Sequence, residues 1–248
     1  MFGRKERAAL ASLDPLHRGL IEQRTLSAVL QPPAWRTLVD SLVHPPPELR
    51  KAKHQVPPRT MEIVVPLVRL LAADVDDDAW LGLTVDLRGP GVPDKQGTPR
   101  DLPPQPPALK VVEQLARDGW LAVDAQLRHG GRLRLGVVDD VRLRTITKRS
   151  ASGKRKIKRR QKATERVRVR LTPPKGVAPI VPHSTPRWLT VTAKDGRRPS
   201  VAVKAAYPID RMQPAHQLQT ILQVIGEAHR CVPWEPDQDT AADPGAAS

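Results

Sequence analysis

Val141–Leu171 reads VRLRTITKRSASGKRKIKRRQKATERVRVRL. Its two ends, Val141–Thr147 and Arg166–Leu171, alternate polar and apolar residues, the period of a half-buried β-strand. Between them, Lys148–Lys162 holds nine basic residues and no acid: Lys148, Arg149, Lys154, Arg155, Lys156, Lys158, Arg159, Arg160 and Lys162. The pattern predicts a long β-hairpin, an arm over 141–171, whose tip is a block of positive charge. Val141, Leu143, Val167, Val169 and Leu171 share one face. Arg142, Arg144, Arg166, Arg168 and Arg170 share the other, so the basic surface continues down the hairpin. Whether cations stand opposite one another depends on the strand register, which the sequence leaves open.

The rest of the chain supports this reading of the charge. Net charge is +15 over 248 residues. Of 41 Lys and Arg residues, nine lie in the one run, so the other 32 face 26 acids. The charge is concentrated, and concentrated charge is what an anionic partner responds to. The alternative is a solvated basic loop that only aids solubility. Aromatics are 3% of the chain and prolines number 27, which predicts an aliphatic core and long extended connections. The single cysteine, Cys231, excludes an internal disulfide and a multi-cysteine zinc site. No apolar run approaches the ~20 residues of a membrane span. The N-terminus lacks the sustained apolar stretch of a secretory signal, so the expected location is cytoplasmic.

Outward from the arm, the chain divides into four parts. Residues 1–44 are expected to be a helical segment, with Asp14-Pro15 as N-cap and first helical residue. Leu26, Val29 and Leu30 continue the helical spacing, and Trp35, Leu38, Val39 and Leu42 form a third helix. A proline-rich linker is expected over 45–60. A β-rich domain follows over 61–232, and a polar, disordered tail over 233–248. Within the domain, Met61–Leu71 reads as a strand carrying Pro66, Trp80–Leu87 as a strand, and Gly89–Pro107 as a long proline-rich loop. Pro107–Asp118 reads as a helix with the stripe Leu109, Val112, Leu115 and Ala116, closed by Gly119. Trp120–Arg128 and the run from Leu133 are strands joined at His129-Gly130-Gly131. Asp139-Asp140 is a candidate break or bulge. Two further strands flank Asp195-Gly196. Asp210–Val232 is an amphipathic helix, with Asp210 and Gln213 as a capping box. The expected class is α+β, an antiparallel sandwich or partly open barrel of about seven strands closed by a C-terminal helix. Leu109–Val138 is similar to the last helix and wing of a winged helix, although a proline-rich loop replaces the helices that should precede it.

Motifs for chemistry are sparse. Asp74–Asp78 lacks the glycine and terminal glutamate of a calcium loop, so a solvated turn is the better reading. The seven histidines are scattered without zinc-like spacing. No nucleophile elbow or phosphate-cradling glycine loop is present, so neither a cofactor nor a metal is expected. An enzyme would need a site assembled only in three dimensions, from acids such as Asp124 or Asp139. The arm contains no aromatic residue, which favours phosphate contact over base stacking. These residues point to a non-enzymatic binder of DNA or RNA. The alternative is an assembly module whose arm docks on an acidic protein or an anionic surface.

Overall fold

The computed structural model describes residues 4–49, 51, 54–150, 153–182, 184–210 and 212–234. In chain order the elements are α1 (Arg4–Ser12), α2 (Pro15–Glu22), β1 (Thr25–Leu30), α3 (Pro32–Val43), α4 (Val65–Ala73), β2 (Leu81–Asp86), β3 (Arg100–Leu102), β4 (Ala108–Gln126), β5 (Arg132–Arg149), β6 (Arg155–Thr172), β7 (Leu189–Lys194), β8 (Ser200–Pro208) and α5 (Pro214–Arg230). All strand pairs are antiparallel, in the order β1-β2-β4-β5-β6-β8-β7, with β3 added on β4. The class is α+β, and the eight-stranded sheet stays open.

One face of the sheet is apolar and carries the helices. Leu83, Val85, Leu121, Val123, Leu133, Leu135, Val137, Val167, Val169, Val201 and Val203 join Trp35, Leu38, Leu67, Val68, Ile221 and Val224 in one core. Burying each such aliphatic side chain stabilises the fold by roughly 1.5–3 kcal/mol. Leu20 and Leu26 of the N-terminal segment belong to this same core. The other face is open: Arg166, Arg168, Arg170 and Lys204 are all exposed there.

Three segments differ from the sequence reading. Thr25–Leu30 is strand β1, not helix. Leu26, Ala28 and Leu30 turn inward, so a six-residue run satisfied both periods. Met61–Leu71 is helical, not a strand. A π-helical turn (Thr60–Val64) leads into α4, and Pro66 lies in its first turn, where the missing N–H costs little. The β-branched Ile63, Val64 and Val65 gave the strand signal, but Ile63, Leu67 and Leu71 are buried at helical spacing. Pro107–Asp118 is not a helix: Ala108–Gln126 is one 19-residue strand. With it goes the likeness to a winged helix.

The bulge lies opposite its expected place. β5 runs straight through Asp139 and Asp140. Across from it, Gly119 pairs with Val138 and Leu121 with Val137, leaving Trp120 as the extra residue. A bulge reverses which residues face the core. It turns Leu121, Val123 and Ala125 inward, although Glu113, Leu115 and Arg117 share the open face nearer the strand's start.

Two other local expectations are met and one is not. Asp14 Oδ1 accepts the Leu16 N–H at 2.7 Å and caps α2. Gly130 takes φ 77° in the β4–β5 turn, a conformation glycine adopts without strain. Asp210 does not cap α5; Gln213 sits at the N-cap without a side-chain bond, and Asp210 instead accepts the Ala163 N–H at 2.5 Å. Among the described residues no helix is long and apolar enough to cross a membrane. Most of the expected disordered tail, 235–248, lies outside the described residues.

Candidate nucleic-acid interface

The arm is wider than a hairpin. β8 pairs with β6 only from Thr164 onward. β4 follows β5 out to Ala108↔Lys148, and β3 flanks β4. The projecting part is therefore β5 and β6 backed by β4. From Val141 to Arg149 it extends nine residues, about 30 Å at ~3.3 Å per residue. Ala116, Val141 and Ala163 form the last small apolar cluster at its root.

The register settles where the cations stand. Arg134 faces Arg170, Arg142 faces Lys162, Arg144 faces Arg160, Lys148 faces Lys156 and Arg149 faces Arg155. On the neighbouring pair, Arg168 faces Lys204. Directly opposed side chains have Cβ atoms roughly 5 Å apart, and like charges there are destabilising. Even in a water-like dielectric such a pair costs roughly 1 kcal/mol.

Carboxylates relieve the root of the arm and not its tip. Buried Glu113 accepts from Arg144 Nε at 2.6 Å and Arg100 Nη2 at 2.5 Å, with Arg142 at 4.0 Å. Hydrogen bonds from Arg100 and Arg144 hold its carboxyl below the usual range. Arg166 pairs with Asp140, and Arg134 with Asp124 at 3.2 Å. Among the described residues, none of the nine cations between Lys148 and Lys162 has an acidic partner. From Lys154 to Arg160 every side chain is exposed. Of the fourteen basic residues singled out from the sequence, Arg142, Arg144 and Arg166 are the ones engaged by carboxylates. Arg170 reaches only Ser200 Oγ, at 3.4 Å.

Where the arm leaves the body, three acids form a row on the helix-covered face. Asp118, Asp139 and Glu165 stand directly opposite one another on β4, β5 and β6, all buried. Lys95 reaches Asp118 at 2.5 Å and Asp86 at 3.0 Å; Arg59 reaches Asp139 at 2.9 Å and lies 4.6 Å over the Trp120 ring. The Tyr207 hydroxyl and Gln217 Nε2 both donate to Glu165. Burial, with the neighbouring Asp139 charge adding to it, pushes Glu165 up to about 7. Burial also raises Asp118, against the pull of Lys95. Asp139 Oδ1 is buried with no hydrogen-bond donor among the described residues. Asp118 and Asp139, but not Glu165, border a cleft of about 580 Å³ that also includes Glu62, Asp86 and Asp210. Sequence reading named Asp139 but not its row, because only the register assembles it.

Other candidates are spent on structure. Asp76 and Asp77 of the acidic turn pair with Arg128 and Arg36. Among the described residues no three potential ligands are grouped as a metal site. Trp35 donates to the Leu81 carbonyl, Trp120 is buried, and Trp234 packs beside His129 and His229. Sequence reading missed the far end of the open face. There Arg132, Arg134, Lys175, Arg197 and Arg198, none of them singled out from the sequence, join Arg170 around a groove of about 820 Å³. The pair Arg197-Arg198 beside the Asp195-Gly196 turn was its one visible signal. Comparison with family models, curated proteins and solved structures finds no match.

Proposed function

We propose that this protein is a non-enzymatic nucleic-acid binder that grips phosphates through the projecting arm. One observation carries the reading: at the arm's tip Lys148 faces Lys156 and Arg149 faces Arg155, and among the described residues no carboxylate relieves these pairs or the other cations of the run. A few lysines would be enough to keep the exposed edge of β6 from pairing with another sheet. Facing them with Lys148 and Arg149 on β5 adds repulsion without serving that end. A polyanion removes the repulsion and gains a contact for every charge. The absence of aromatics along the arm supports backbone contact, which is independent of sequence and sensitive to salt.

The test is the absorbance ratio of protein purified without a high-salt wash. The unmodified chain should carry nucleic acid through purification. A variant with the nine basic residues of Lys148–Lys162 changed to Gln should be free of it. If both come off clean, the proposal fails.

A further inference from the structure

We infer that the arm enters the major groove of B-form duplex DNA edge first, with β6 leading; this rests on the nucleic-acid reading above. Among the described residues, the outer side of β6 from Arg155 to Lys162 pairs with no other strand, since β8 joins only at Thr164. Successive side chains of a strand point to opposite faces. Along this free edge Lys156, Lys158, Arg160 and Lys162 therefore project to the open face. Arg155 and Arg159 project to the other, with Arg149 opposite Arg155.

An arm that merely rested on a phosphate surface would use one face and leave the other charges in solvent. Two walls of phosphate, one on each side, use both. A sheet's backbone with the inner part of its side chains occupies a layer roughly 10 Å thick, the spacing of stacked sheets, and the longer Lys and Arg side chains reach beyond it toward either wall. The major groove of B-DNA is about 12 Å wide, which admits such an edge. The major groove of A-form RNA is deep and too narrow for side chains to read. The eight residues of the free edge span about 26 Å, the axial length of roughly eight base pairs.

The experiment neutralises one face at a time in the full chain and measures duplex affinity against salt. One variant is K156Q/K158Q/R160Q/K162Q; the other is R149Q/R155Q/R159Q. All seven side chains are exposed, so folding should be unaffected. Insertion predicts that each set flattens the log–log salt slope by about 0.9 for every phosphate no longer neutralised, roughly 3–4 for the first set and 2–3 for the second. A second set that leaves slope and affinity unchanged while the first abolishes binding overturns insertion and leaves the phosphate-binding reading intact. Duplex RNA bound as tightly as duplex DNA of the same sequence also overturns the groove assignment. If neither set changes binding, the underlying nucleic-acid reading falls with it.

Discussion

Arg144 and Arg160 face each other directly across β5 and β6, and only Arg144 has a carboxylate, Glu113 at 2.6 Å. The pair shows the arm's arrangement in small. The root is held by buried acid, and the exposed partner is left with its charge uncompensated. Arg160→Gln should therefore stabilise the free protein by a few tenths to about 1 kcal/mol while weakening nucleic-acid binding. Thermal melts with and without a DNA duplex would read both effects. A loss of stability in the free protein would contradict the account.

Glu113→Gln should act in the opposite sense. The buried carboxylate holds Arg100 and Arg144, so its neutralisation loosens β3 and the root of the arm. It also frees Arg144 and adds one positive charge. Expected are a lower melting temperature together with tighter, more salt-sensitive duplex binding, read by calorimetry and by anisotropy titration.

Glu165 gives the fold a pH dependence. Its carboxyl, ordinarily near 4.5, sits at about 7 when folded, chiefly because it is buried. Between these values the native state keeps a proton that the unfolded chain has lost. Stability from this site is thus fully present below about 4.5 and is lost as pH rises through about 7, on the order of 3 kcal/mol in all. The raised Asp118 works in the same direction. Glu165→Gln should leave the melting temperature nearly unchanged at pH 5 and raise it at pH 8. An equal shift at both pH values would show that the site does not titrate as described.

Trp120 is fully buried at the β4 bulge, whereas Trp188 is 42% exposed. Trp120→Ala should cost about 3–5 kcal/mol, a typical loss for a large core aromatic. Trp188→Ala should cost less than about 1 kcal/mol, within the range of surface substitutions. Denaturant midpoints of the two variants would separate them.

The inner parts of β5 and β6 were legible because Leu133, Val167 and Val169 alternate with arginines over a buried face. The outer half of β4 was not. Leu109 and Leu115 are about half exposed there, neither face is fully covered, and the apolar residues follow no period of two. α4 was misread because Ile63, Val64 and Val65 favour strands locally, while packing against α3 and α5 decided for helix. The nine cations at the tip were legible as a run. The opposition of six of them to other cations, and the row Asp118–Asp139–Glu165, follow from register, which depends on tertiary structure.

The most direct measurement is the affinity of the unmodified chain for a duplex of about 20 base pairs between roughly 50 and 200 mM salt. If six or more of the nine tip cations meet phosphates, affinity should fall by about 10³-fold or more over that range, in a straight log–log line. Binding that is absent at the low-salt end, or that holds constant across the range, would contradict the claim that phosphates neutralise the arm.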